Sequence, residues 1–315
     1  MTLEEEINKY RLTNEQRQAW YDNLLRPTFL GGLKPNDKQP VFTLLTAQPG
    51  AGKTTAAVRN AQETSPYPAR FGGDDIRILH PYARIIMLED VANYPFITKP
   101  DMAWAREKLV DDCLNNRYNL QIDSILSNID DYKMGTIMRA KEQGYRIECV
   151  TLGVPDYLSI VSMYNRRETQ IERDGVGFPV TIKDHDRAYG LLPEVIAKMY
   201  DAKVADRVSV INRQFKSFYD TNKVTEPNGA AIKEAVIQAR NSYMQKTYLA
   251  YVNTLWKSIN QQMVQRKAND EQMIDVKEQY QKFTQSCIQN GNYNPQYDKD
   301  YLSFLPRLQQ YKKSK

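Results

Sequence analysis

The chain has 315 residues, 41% hydrophobic and 10% aromatic, with 26% charged residues and only 14 Gly and 15 Pro; this is ample for a buried core, one large domain or two ordinary ones, and excludes disordered, fibrous and collagen-like classes. No apolar run reaches the length of a membrane span, the N-terminus MTLEEEINKY is too acidic for a secretory signal, and Cys113, Cys149 and Cys287 are too few and too scattered for a disulfide or zinc framework, so a reducing cytoplasm is expected. The net charge of +5 lies wholly in residues 226–315, with 13 basic against 8 acidic side chains. That density reads as a solvated helical face rather than a nucleic-acid surface.

Residues 3–25 read as one or two amphipathic helices, with Leu12, Trp20, Leu24 and Leu25 as apolar positions and Thr13 with Gln16 as a capping box. Residues 26–40 carry Pro27, Gly31, Gly32, Pro35 and Pro40 and read as a loop. From there short apolar runs alternate with helical periods. Strands are expected at Val41–Ala47, Ala69–Gly72, Asn119–Ile122, Arg146–Leu152 and Arg207–Ile211. Helices are expected at 53–63, 101–117, 129–143, 155–173 and 186–203. This alternation predicts an α/β fold with a mostly parallel sheet covered on both faces. Beyond about residue 225 no strand is expected. A long helix opens at Pro227-Asn228-Gly229 and runs through Met263, Asn269-Asp270 breaks it, a second helix reaches about Cys287, and 291–301 is a loop. The organisation expected is a helical N-terminal segment at 1–37, an α/β domain at 38–225 and a helical extension at 226–315.

After the first strand stands Ala47-Gln48-Pro49-Gly50-Ala51-Gly52-Lys53-Thr54-Thr55. This is the phosphate-loop pattern GxxxxGK[ST] with Ala47 in place of the first Gly. Gly50 and Gly52 let the backbone present N–H groups to phosphate oxygens, and the helix starting near Lys53 aims its positive end at the same anion. Lys53 supplies a charge to the β- and γ-phosphates, and the Thr54 hydroxyl ligates Mg²⁺. Further on, Gly73-Asp74-Asp75 ends the second strand. A carboxylate there can orient and deprotonate an acceptor hydroxyl; an Asp in that place also commonly caps the next helix, and the two residues can divide the roles.

At this point the chain resembles the zeta toxin family. The family's QPGxGKT appears as Gln48 to Thr54, its Asp and His-Pro pair as Asp74 and His80-Pro81, and its Gly-Tyr-Asn as Arg117-Tyr118-Asn119. A family Glu falls on Glu107, a substrate-site Arg on Arg166 in Arg166-Arg167-Glu168-Thr169, and later pairs on His185-Asp186 and Leu192-Pro193. The resemblance spans about residues 38–200 and implies a P-loop kinase fold. It also implies an activity, with ATP or GTP as donor and Mg²⁺ as cofactor. The 3′-hydroxyl of the amino sugar of UDP-N-acetylglucosamine is phosphorylated, which poisons cell-wall precursor synthesis. Some relatives act on other nucleotide-containing acceptors such as NAD. Asp74 is then the general base, Lys53 and Thr54 hold nucleotide and metal, and Glu107 helps hold the sugar; a small helical antitoxin is the expected partner.

Two departures stand out. The family's Glu-Gly-Thr is Asp123-Ser124-Ile125, so a shorter carboxylate faces the acceptor and a hydroxyl is lost. A second family Arg meets Phe178-Pro179, leaving Arg173 as the nearby substitute. The rival reading is a catalytically degenerate nucleotide-binding interaction module. Residues 3–25 and 228–288 are expected either to complete the core or to act as a docking or inhibitory surface.

Overall fold

The computed structural model describes residues 2–126, 135–243, 246–292, 294–296 and 299. It opens with α1 (Leu3–Tyr10), α2 (Asn14–Trp20), a π-helical turn and α3 (Arg26–Leu30). The Thr13 and Gln16 side chains each accept the other's backbone N–H, as the capping box requires. Residues 26–30 are helical rather than loop. Pro27 sits in the first turn, where its missing N–H costs nothing, and Leu25 and Leu30 extend the buried stripe of Trp20 and Tyr21.

Six strands form one sheet: β1 (Val41–Thr46), β2 (Ala69–Phe71), β3 (Leu120–Ser124), β4 (Arg146–Leu152), β5 (Arg207–Ile211) and β6 (Ser217–Asp220). Their order is β2-β3-β1-β4-β5-β6, parallel except for β6, which returns antiparallel to β5. All five expected strands are present. β6 was not expected, because four residues reached through a tight turn offer too little alternation to read.

The two-residue period of the strands sorts the core into two layers. Phe42, Leu44, Ile147 and Cys149 point to one face, under α8 (Lys99–Asn115), α9 (Thr136–Glu142), α11 (Ile182–Asp201) and α12 (Gly229–Asn241). Leu45, Val150 and Leu152 point to the other, under α4 (Lys53–Glu63), α10 (Asp156–Asp174), α13 (Lys246–Gln265) and α14 (Asp270–Gln289). The helix expected at 129–143 is described only as α9, its earlier part lying outside the described residues. The single long helix expected from residue 229 to 263 is in fact two. α12 packs on α11, β5 and β6, whereas α13 packs on α10, so the chain crosses from one face of the sheet to the other between them. Part of the 291–301 stretch, and Lys312, Lys313 and Lys315, lie outside the described residues.

Three short helices, α5 (Gly73–Arg77), α6 (Ala83–Asp90) and α7 (Tyr94–Ile97), follow β2. They are tied to the N-terminal helices through Asp101, which is 1% exposed. Its carboxylate accepts the Leu12 N–H at 3.1 Å and Arg17 Nε at 2.6 Å, and lies 3.2 Å from His80 Nε2. His80 is thus structural. Among the described residues no helix is long and apolar enough to cross a membrane, and no cluster of His, Cys or acidic side chains is disposed to hold a metal.

Candidate active site

β1 lies in the middle of the sheet between β3 and β4, so the loop after it opens at the carboxyl ends of three parallel strands, where ligands of open α/β sheets bind. Residues 47–52 wrap from β1 to the start of α4. Gly50 and Gly52 adopt φ of 73° and 92°. A Cβ on Gly50 would stand 2.0 Å from the Ser159 carbonyl oxygen, so no larger residue fits there. No side chain caps α4 at Gly52, which leaves the first N–H groups of that helix for an anion.

The cleft so formed has a volume of about 840 Å³. Of the expected nucleotide residues, Pro49, Gly50, Gly52, Lys53, Thr54 and Thr55 line it. Gln48 and Ala51 are fully buried beneath it. Gln48 Nε2 donates to the Val154 carbonyl at 2.7 Å and to Ser159 Oγ at 3.2 Å, and Ser159 Oγ is 2.8 Å from His185 Nε2, itself 2.9 Å (through Nδ1) from Asp186. The Gln of the loop and the later His-Asp pair therefore form one brace under the loop.

Lys53 Nζ donates to the Ala47 and Gln48 carbonyls at 3.0 Å each. Desolvation pushes its ammonium down to about 8, against the pull of Asp123 and Asp74. Asp123, at the end of β3 opposite Leu45 of β1, also lines the cleft. Burial raises its carboxyl although Lys53 pulls the other way, and its Oδ1 has no hydrogen-bond partner.

The adjacent aspartates divide between a helix cap and the cleft. Asp75 accepts the Gly72 N–H at 2.8 Å and caps α5. Asp74 points into the cleft with its side chain 62% exposed and pairs with Arg77 at 2.5 Å. Arg77 is in turn fixed by donation to Thr98 Oγ1 at 3.0 Å, and its carbonyl accepts the Tyr94 hydroxyl at 2.8 Å. The neighbours on α10 divide likewise. Arg166 faces the cleft, whereas Arg167 is buried against Glu168, which Arg266, just beyond α13, also grips through both oxygens.

Two expected substrate residues are not brought to the cleft. Glu107 is 53% exposed and pairs with Arg139 of α9. The helical pitch turns its neighbour Arg106 into the cleft instead, one turn from Met102. Arg173, near the end of α10, is 67% exposed and pairs with Asp174. Phe178 lines the cleft where that second cation was sought, stacked on Tyr94 at 5.7 Å with Arg166 6.0 Å from its ring. Sequence reasoning missed Arg77, Arg106 and Arg213. Arg77 stands three residues after Asp74, a spacing that pairs side chains on a helix; the other two carried no legible signal.

Residues 28–224 match the sequence model of the family described as zeta toxin. The chain belongs to the zeta toxin family. Zeta toxins are kinase-like toxins. Toxin PezT of Streptococcus pneumoniae serotype 4 (strain ATCC BAA-334 / TIGR4) is 26% identical over 202 residues, 64% of this chain and 79% of PezT. A solved structure from the PezAT chromosomal toxin–antitoxin system of the human pathogen Streptococcus pneumoniae is similar with a TM-score of 0.69 at 23% identity. The match covers 79% of this chain and 98% of that one, and shows a shared zeta toxin fold. α1, α2 and the C-terminal helices α12 to α14 lie outside the family match.

Proposed function

We propose that this zeta toxin family member is a cytoplasmic kinase. It transfers the γ-phosphoryl group of ATP or GTP to a hydroxyl of a sugar nucleotide, with UDP-N-acetylglucosamine as the first candidate, and so poisons cell-wall precursor synthesis. The observation that carries this reading is the meeting of Lys53, Asp74 and Arg166 on one cleft above the phosphate loop. Loop N–H groups and the start of α4 orient the phosphates, Lys53 and Arg166 offset the charge on the transferring group, and Asp74 takes the acceptor proton. Arg77 holds the Asp74 carboxylate in place through one oxygen, leaving the other for the hydroxyl.

The donor set fits Mg²⁺: Thr54 offers a hydroxyl and Asp123 an orphaned, buried carboxylate oxygen on the same cleft. Bound there, the ion would neutralise phosphate charge as the phosphoryl group moves. In this reading residues 38–225 carry the chemistry, with 1–37 and 226–315 as supporting helical parts, and a small helical antitoxin holds the enzyme off in its own cell.

The acceptor wall favours a second reading beside the first. It presents Arg106, Ile125 and Phe178, with Glu107 and Arg173 turned outward; such a wall suits another nucleotide-containing acceptor, such as NAD. Purified protein with Mg²⁺-ATP and a panel of sugar nucleotides and NAD tests both, read by the mass gain of one phosphoryl group. No modified acceptor from a protein that binds ATP would leave the degenerate binding module standing in place of the kinase.

A further inference from the structure

We propose that Arg213 is a positioning residue that clasps the phosphate-binding loop, and that Tyr243, beyond the family match, sets Arg213 in place. The inference rests on the nucleotide-binding reading above and adds the C-terminal helices to it.

Arg213 follows β5 and lines the cleft. Its Nε donates to the Ala51 carbonyl at 3.1 Å, and its Nη2 donates to the Gly50 carbonyl and to Ser162 Oγ of α10, the latter at 3.0 Å. One planar fork thus holds two successive carbonyls of the loop, a task that the single ammonium of lysine does only in part. Because a trans peptide points its N–H away from its C=O, gripping the Ala51 carbonyl also fixes the direction of the Gly52 N–H.

No carboxylate pairs with Arg213 among the described residues. A half-buried cation satisfied only by carbonyls and a hydroxyl is a poor stabilising device, which argues for a role at the loop.

The turn from β5 to β6 aims Arg213. Asn212 Oδ1 accepts the N–H groups of Gln214 and Lys216 at 3.0 Å each, which leaves the Arg213 N–H free to donate outside the turn. It donates at 2.6 Å to the hydroxyl of Tyr243, which is 1% exposed and sits between α12 and α13. The Tyr243 carbonyl accepts the Tyr157 hydroxyl of α10 at 3.1 Å, and its ring packs on Tyr248 at 5.1 Å. A line of hydrogen bonds therefore runs from the C-terminal helices through Arg213 to the loop that holds phosphate.

The test uses the full chain with Tyr243→Phe, Arg213→Gln and Arg213→Lys. Two quantities are measured: calorimetric affinity for a non-hydrolysable Mg²⁺-ATP analogue, and hydrogen exchange of residues 50–54. Tyr243→Phe removes one hydrogen bond and keeps the ring, so nucleotide affinity falls roughly tenfold while acceptor affinity stays put. Arg213→Gln loses at least as much, and Arg213→Lys recovers part of it. Loop amides exchange faster in the first two variants. Folded variants that bind the analogue as wild type does, with unchanged loop exchange, overturn the clasp; so does an equal loss of nucleotide and acceptor affinity together with a lowered melting temperature, which marks general destabilisation. If wild type binds no nucleotide, the kinase reading falls, and loop exchange alone decides the clasp.

Discussion

Raising the pH from 7 to 9 is expected to weaken nucleotide binding about tenfold, through Lys53 alone. In the free protein, burial holds the Lys53 ammonium down at about 8. It is then about 90% charged at pH 7 and about 10% at pH 9. Bound phosphates restore the charge, because an anion at hydrogen-bonding distance offsets the desolvation that lowered it. The bound-state value is thus above the free one. The affinity that the charge contributes is fully present below pH 8 and is lost as pH rises from there toward the bound-state value. Above pH 8 binding must also take up close to one proton. Calorimetry in two buffers of different ionisation enthalpy reads both the affinity and the proton. The thiols do not interfere, since burial pushes Cys149 up to about 12 and Cys287 to about 11. Lys53→Arg, charged throughout, flattens the profile, and Lys53→Ala loses nucleotide binding while keeping the fold. Affinity that is level from pH 7 to 9 in wild type, or that falls equally in Lys53→Arg, refutes the reasoning.

Asp74→Asn is expected to keep ATP bound and to lower phosphoryl transfer by about 10² to 10⁴, as loss of a general base does; a single-turnover assay checks it. Asp75→Asn, which weakens only the cap on the Gly72 N–H, should shift thermal stability by about 1 kcal/mol and leave turnover near normal. Glu107→Ala should leave acceptor KM unchanged because the side chain pairs outward with Arg139, whereas Arg106→Gln should raise it; steady-state kinetics with the acceptor varied separates the two. Trp20, 5% exposed and bonded through Nε1 to the Leu79 carbonyl at 2.8 Å, should cost about 3 to 5 kcal/mol when changed to Ala, measured by urea unfolding. Deletion of residues 1–25 should accordingly give an unfolded chain; a folded, more active truncation would show instead that this segment inhibits.

What the sequence determined by itself was local. The short apolar runs marked five strands, the Gly50, Gly52 and Lys53 spacing marked the phosphate loop, and the Thr13–Gln16 pair marked a helix start, because each depends on residues close along the chain. The placing of Asp74 in the cleft followed from its position after a strand. Side-chain direction around a helix is not legible to one residue: the family resemblance points to Glu107, whereas Arg106 faces the cleft. The break between α12 and α13 was also hidden. Both segments have helical periods, and only the need to cover opposite faces of the sheet forces the chain to turn between them. Arg213 lay furthest from view. It stands 162 residues from the Ala51 carbonyl it holds, and no pattern in the chain announces a contact that arises only when parallel strands bring the ends of β1 and β5 to the same edge. The chain's own periodicity decided its elements and its phosphate loop; the packing of helices on two faces decided which charges meet there, because that depends on distances through space that linear spacing does not encode.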